Sequence, residues 1–387
     1  MNKKQTASPS DNPTTPAHIS RRTLLRWMLG GAAGLAGTIP LLIPMDETAA
    51  QIYTPKTPLV TPTAPATAVT PLYTPKTPLP TTSPDDLTNS SGMVSAAGID
   101  LLRDRILGLI DGREIGFALR ELDENGVVVA SIDYQSSELY PVASCFKAFV
   151  VYYYFWFTPE DLWQTDRQSD VYQVAVFSNN VRTGVVIRDT GQYLDIYGNP
   201  LEKFNDTLLF RLGMKEGLHT WKWEGNPLIG FTDRRYAPSD KRIMNIHGTT
   251  HIADNLTTAA DLAQGYVFME QAALGTLIPD PRDPFFDTER ARIASIAALD
   301  LLSISAENYK SPIERAGVDY IGKDGVLREG DLSAGVVISD AGLMEIDGRR
   351  FAMSFISVGH SEFYAVEMVK SIVGYIREYV ESYTPSS

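Results

Sequence analysis

Apolar residues recur along this chain with two different periods, and the changes of period mark its elements. Ile99, Leu101, Leu102, Ile106, Leu107 and Ile110 fall at helical spacing and Asp111-Gly112 closes the segment, which predicts a first helix. Residues 115–122 and 127–132 are β-rich runs separated by Asp123-Glu124-Asn125-Gly126, whose Asn-Gly pair favours a hairpin turn. The far end mirrors this order: 333–339 and 350–358 read as strands, and 361–379 as an amphipathic helix. From about 139 to 312 the pattern is mostly helical. The expected fold is α+β, an antiparallel sheet flanked by terminal helices with an all-helical domain inserted.

The first 95 residues follow neither period. Ser20-Arg21-Arg22-Thr23-Leu24-Leu25-Arg26 resembles a twin-arginine export signal, and residues 27–45 follow it without a charge. Pro40 and Pro44 interrupt that apolar run, which argues against a buried helix. Thr48-Ala49-Ala50 offers small residues for a signal peptidase, whereas an uncleaved segment would be barely long enough to span a bilayer. Cleavage and retention as a membrane anchor both stay open. Residues 51–95 are dense in Pro and Thr, and Tyr53-Thr54-Pro55-Lys56-Thr57-Pro58-Leu59 recurs intact from Tyr73 to Leu79. Such a segment buries no core and reads as an extended spacer. The expected organisation is an export signal or anchor over 1–50, a spacer over 51–95 and one domain over 96–387. Within that domain, 96–138 and 312–387 form the α/β part and 139–311 the helical part.

Composition narrows the functional classes. With 44% hydrophobic residues among 387, the chain has ample material for a core. A formal net charge of −13 leaves no basic stripe for a phosphate backbone, so nucleic acid is not an expected partner. One cysteine, Cys145, excludes an intrachain disulfide, and stability must come from packing.

Ser144-Cys145-Phe146-Lys147 stands at the head of an apolar run, 148–157, expected to be a buried helix. Free N–H groups at a helix start help to stabilise an oxyanion, and a lysine one turn on reaches the serine hydroxyl. Burial near a second cation lowers such a lysine's proton affinity, so that it can act as a base. Alone, the spacing is better read as a helix cap followed by a surface lysine. It is not alone, because Ser178-Asn179-Asn180 and Lys323-Asp324-Gly325 follow in order, the last behind a strand-like run from Val318.

With these three motifs the chain resembles the class A β-lactamases and their penicillin-binding relatives, whose signatures are S-x-x-K, S-D-N and K-T-G. The resemblance extends to 204–213, similar to the helix before the family's omega loop, and to Asn255-Leu256-Thr257-Thr258-Ala259-Ala260-Asp261-Leu262-Ala263, similar to a later helix start. It covers about 96–383 and implies a five-stranded sheet, no metal and no cofactor. It also implies a monomer acting on a small-molecule β-lactam or a cell-wall peptide.

Residue by residue, the resemblance makes Ser144 the nucleophile and Lys147 its proton acceptor, directly or through water. Ser178 would pass a proton to the leaving nitrogen, and Asn180 would hold a substrate amide. Lys323 would supply positive potential, and the backbone N–H groups of Ser144 and Val326 an oxyanion hole. Within Lys222-Trp223-Glu224-Gly225-Asn226-Pro227-Leu228, a rearranged match to the family's omega loop, Glu224 would be the general base for deacylation. Asp324 departs from the pattern: where the family has a hydroxyl that binds the β-lactam carboxylate, an aspartate repels that anion. Asp324-Gly325 also fits a plain hairpin turn. His247 and His251 have a zinc-like spacing, but they lie among Gly and Thr without a third ligand and read as ordinary loop residues. The functions compatible with these residues are an exported β-lactamase-type hydrolase, a D-alanyl peptidase, and a wall-binding module of the same fold.

Overall fold

The computed structural model describes residues 96–194, 198–219, 233, 242–246, 249–253, 255–279, 286–306, 311–328 and 335–383. The segments expected to be an export signal and a spacer, His247 and the segment holding Glu224 lie outside the described residues.

The first helical period folds as α1 (Ala96–Ile110), and Gly112, at φ 72°, turns the chain out of it. A hairpin follows, β1 (Ile115–Leu122) and β2 (Val128–Tyr134). Its turn is held by the Asp123 carboxylate, which accepts from the N–H groups of Asn125 and Val127 at 2.8 Å each. After the short strand β3 (Tyr140–Pro141) come the helices α2 (Lys147–Phe157), α3 (Asp170–Ala175), α4 (Asn180–Leu194) and α5 (Pro200–Asp206). The segment expected at 204–213 is thus the end of α5 continued by a π-turn, Thr207–Arg211.

The middle of the chain corrects one expectation, because it is not all helical. Strands β4 (Arg242–Ile246) and β5 (Thr249–Ala253) form a hairpin, and β6 (Leu256–Thr257) pairs with β3, Tyr140 opposite Thr257. The sequence from Ile243 to Ile252 is rich in Ile and Thr, which favour extended backbone. Then follow α6 (Ala259–Leu274), α7 (Thr288–Ala306) and α8 (Pro312–Arg315), and last β7 (Asp319–Arg328), β8 (Gly335–Ile346), β9 (Arg349–Val358) and α9 (Glu362–Tyr383).

The five long strands make one antiparallel sheet in the order β2-β1-β9-β8-β7, with β7 outermost. Strand alternation sorts the side chains. In β8, Ile338, Met344 and Ile346 pack with α1 and α9, whereas Val337, Ala341 and Leu343 pack with α2, α6 and α7. In β7, Tyr320 belongs to the terminal-helix side and Ile321 to the other. Lys323 and Gly325 have the parity of Ile321, so the sequence period alone aims them at the helical part. Strand β7 runs unbroken through Lys323-Asp324-Gly325, with Asp324 opposite Asp340 and Gly325 opposite Ser339. That excludes the plain-turn reading of Asp324-Gly325.

Helix α2 is the hub of the helical part. Tyr152, Tyr153, Phe155 and Trp156 are buried, as expected for a helix packed on all sides. Its Phe149 fits against α6 only because residue 265 is glycine: a Cβ there would lie 2.4 Å from the Phe149 ring. Gly265→Ala gains about 1 kcal/mol of helix propensity but loses about 1–3 kcal/mol to overpacking. Net destabilisation of up to about 2 kcal/mol is expected, read as a lower urea midpoint at unchanged slope.

Candidate active site

Ser144 sits in a tight turn between β3 and α2. Cys145 N–H donates to the Val142 carbonyl at 2.9 Å and Lys147 N–H to the Ser144 carbonyl at 3.0 Å, so the helix proper begins only at Lys147. Ala143, just before the serine, has φ 46°, a left-handed conformation that costs a residue with a Cβ about 1–3 kcal/mol. Three tethers hold it there. Val142 N–H donates to the Asn255 carbonyl at 3.1 Å, Ser339 Oγ donates to the Val142 carbonyl at 2.7 Å, and Cys145 Sγ donates to the Lys323 carbonyl at 3.0 Å. Cys145 itself is buried, and burial pushes its thiol well above the usual range, which makes it a packing residue rather than a reactive one.

Gly325 brings β7 onto this turn. A Cβ at that position would lie 2.4 Å from the Ser144 nitrogen and 2.7 Å from the Cys145 nitrogen, so no other residue type fits without moving the backbone. Among the described residues the Ser144 N–H has no acceptor and the Ser144 hydroxyl no hydrogen-bond partner. Val326 follows Gly325 in the same strand, half-buried, with its side chain toward the terminal helices.

Lys147 is 1% exposed. Its ammonium donates to the Ser178 carbonyl at 2.6 Å and to Asn180 Oδ1 at 2.5 Å, and lies 3.3 Å from Ser178 Oγ. Burial first, and then the nearby Lys323 ammonium, lower its pKa to about 7, with Asp324 pulling the other way. Near neutral pH this amine can therefore shed and accept a proton. Ser178, at φ 56°, is the second strained residue of the site. Asn179 caps α4, accepting from Arg182 N–H at 3.0 Å, which leaves its flanking residues Ser178 and Asn180 to face Lys147. Because Asn180 Oδ1 accepts from Lys147, the amide nitrogen is the end of the side chain left to act as a donor.

Lys323 is buried on β7 and donates to the carbonyl and the carboxylate of Asp324, both at 3.2 Å. The structure thus gathers Ser144, Lys147, Ser178, Asn180, Lys323, Asp324 and Gly325 around one turn, while Glu224 lies outside the described residues. Among those residues no group of three or more His, Cys, Asp or Glu could hold a metal, and no helix is long and apolar enough to cross a membrane.

Two residues that sequence reasoning passed over support the site from behind. Ser339, described above, ties the turn bearing Ser144 to the sheet. Its neighbour Asp340 is fully buried, accepts from Ile313 N–H at 2.8 Å and is hydrogen-bonded by Ser311 Oγ and the Tyr320 hydroxyl. Tyr320 has one proton, and its oxygen also lies 2.8 Å from the Ala341 carbonyl, a longer contact than the one to Asp340. Both contacts are satisfied if Asp340 carries a proton and donates to the tyrosine oxygen. Burial outweighs the three hydrogen bonds and raises Asp340 to about 7, in keeping with that geometry. The signal in the sequence was a polar Ser-Asp pair inside an apolar strand.

No protein-family model and no curated protein matches the chain. Among solved structures it is similar to a class A β-lactamase from Bacteroides cellulosilyticus, at 13% identity and TM-score 0.49, covering 74% of this chain and 99% of that one. It is also similar to the TLA-1 extended-spectrum β-lactamase, at 14% identity and TM-score 0.48, covering 73% and 99%. A third is PBP-A, at 16% identity and TM-score 0.44, covering 73% and 96%. At such identities and scores, what the site can do is argued from its own geometry.

The raised carboxyls have a consequence for stability. Asp340 titrates near 7 in the folded chain, and Asp261, which accepts from the N–H groups of Lys215, Glu216 and Gly217, is raised by burial to about 6. Both values lie above the unfolded value of about 3.9. Their contribution is therefore fully present below pH ~4 and is lost as pH rises through about 6 and 7. The thermal midpoint is expected to fall between pH 5 and 8, and Asp340→Asn to flatten that slope in a calorimetric series.

Proposed function

We propose that this chain is an exported, monomeric active-site serine hydrolase that is acylated on Ser144 and cleaves a β-lactam or related cyclic amide. The observation that carries this reading is Lys147, a buried amine with a pKa of about 7, one helical turn from Ser144 and bonded to Ser178 and Asn180.

In the proposed reaction a substrate carbonyl lies beside the Ser144 nitrogen, where the N–H groups of Ser144 and Val326 receive the developing oxyanion. Ser144 Oγ attacks and gives its proton to neutral Lys147, directly or through a water. Lys147 hands a proton to Ser178 Oγ, 3.3 Å away, and Ser178 passes its own to the leaving nitrogen as the C–N bond breaks. The Asn180 amide nitrogen donates to a substrate carbonyl. Glu224 is the proposed base that activates water to hydrolyse the ester on Ser144, returning acid and free serine. Export rests on the twin-arginine-like tract from Ser20 to Arg26.

The test is intact mass of the full chain mixed at high concentration with penicillin G and with a chromogenic cephalosporin, followed over time. An adduct on Ser144 that forms and then decays supports the hydrolase. A lasting adduct points to acylation without turnover, as in a cell-wall peptidase. No adduct with any acylating probe sinks the reading. Lys147→Ala is expected to slow acylation by about 10²–10⁴-fold. In the wild type the acylation rate should climb with pH through about 7, since only the neutral amine accepts the serine proton. A profile flat from pH 6 to 8 would remove Lys147 from the base role.

A further inference from the structure

Within the site the charge of Lys323 is already matched. Two of its three N–H groups go to the carbonyl and carboxylate of Asp324, and the side chains are 3% and 16% exposed, so the pair is buried with only the aspartate edge open. The other cation, Lys147, spends its hydrogen bonds on Ser178 and Asn180. Of the two cations, Lys323 is thus matched by Asp324, and Lys147 carries only part of a charge near neutral pH.

Position matters as much as charge. Gly325 abuts the Ser144 nitrogen and Asp324 precedes it; strand alternation alone would aim Asp324 at the terminal helices, but its carboxylate is bonded to the Lys323 ammonium at 3.2 Å, which keeps it beside the site. A substrate extended along β7, the outermost strand, meets Asp324 with the group next to its scissile bond.

We propose that Asp324 makes this a site for acyl compounds bearing a carboxamide or similar neutral hydrogen-bond donor beside the scissile amide, in place of a carboxylate. The inference rests on the hydrolase reading above. A carboxamide N–H donates to the Asp324 carboxylate while its oxygen takes the remaining N–H of Lys323. A carboxylate in the same place meets a like charge and competes with Asp324 for Lys323.

The experiment uses the full chain and three forms of one cephalosporin that differ only at the ring carboxyl: the free acid, the methyl ester and the primary amide. Acylation of Ser144, followed by intact mass, should be about tenfold or more faster with the amide than with the acid, and the ester should fall between them. Asp324→Asn keeps an acceptor for Lys323 and removes the charge, and should bring amide and acid to within about threefold; Asp324→Thr is the second variant if the first is poorly folded. An acid that reacts as fast as the amide in the wild type, or a preference unchanged in both variants, overturns the proposal. Binding of the same compounds to Ser144→Ala by calorimetry separates the two claims. A preference for the amide there, with no adduct in the wild type, defeats the hydrolase reading and keeps the Asp324 assignment. Equal binding of amide and acid, or binding of neither, defeats the assignment.

Discussion

The arrangement turns on one constraint, a lysine ammonium placed where water does not reach. Taking a cation out of water costs several kcal/mol even after relaxation, and Lys147 stands on a helix whose other buried side chains are apolar or aromatic. The fold meets that cost in two ways. It supplies a carbonyl and an amide oxygen from the Ser178 to Asn180 turn, and it lets the pKa fall to about 7 so that the charge is only half present near neutral pH. The strained turn at Ser178, the Asn179 cap of α4 and the packing of α4 on α2 all serve to keep those two oxygens in place. Chemical competence and structural necessity coincide there: the group that the core tolerates least is the one able to move a proton.

The sheet poses the complementary problem. Strand β7 carries Lys323 and Asp324 at its outer position, and neither would be stable there unpaired. Each neutralises the other at 3.2 Å, and the glycine that follows lets the pair lie against the nucleophile turn. Ser339 and Asp340, on the neighbouring strand, then face opposite ways, one fastening the turn and the other fastening α8 and Tyr320.

Much of this was legible in the sequence because it is written in short periods. The alternation through β1 and β9 and the 3.6-residue period of α1 and α9 fixed the sheet and its terminal helices to within a few residues. Three motifs in order singled out Ser144, Lys147, Ser178, Asn180 and Lys323 through the family resemblance, and the fold brings these residues together. What escaped was set by distant partners. Strand β8 was expected to stop at Ser339, since Ser339-Asp340 breaks the apolar run, but carbonyls and hydroxyls nearly 200 residues away in one case and about 20 to 30 in the others make burial of that pair acceptable. The β4–β5 hairpin escaped for a different reason, being a short two-stranded piece inside a region whose average pattern is helical. Asp324 was recognised as a departure, but its ion pair with Lys323 depends on how two adjacent side chains of an outermost strand fold back on each other, which no spacing reveals.

The strand order carries a consequence for how the molecule comes into being. The hairpin made first, β1 with β2, waits for its inner neighbour β9, and the turn bearing Ser144 waits for β7 and β8, with Cys145 and Lys323 separated by 178 positions and Val142 and Ser339 by 197. Contacts of such separation form late, after the loop-closure entropy has been met. A partly synthesised chain therefore holds a serine and a lysine but no wall to set them against. The surroundings of Ser144 and Lys147 are therefore completed last, when the C-terminal strands arrive.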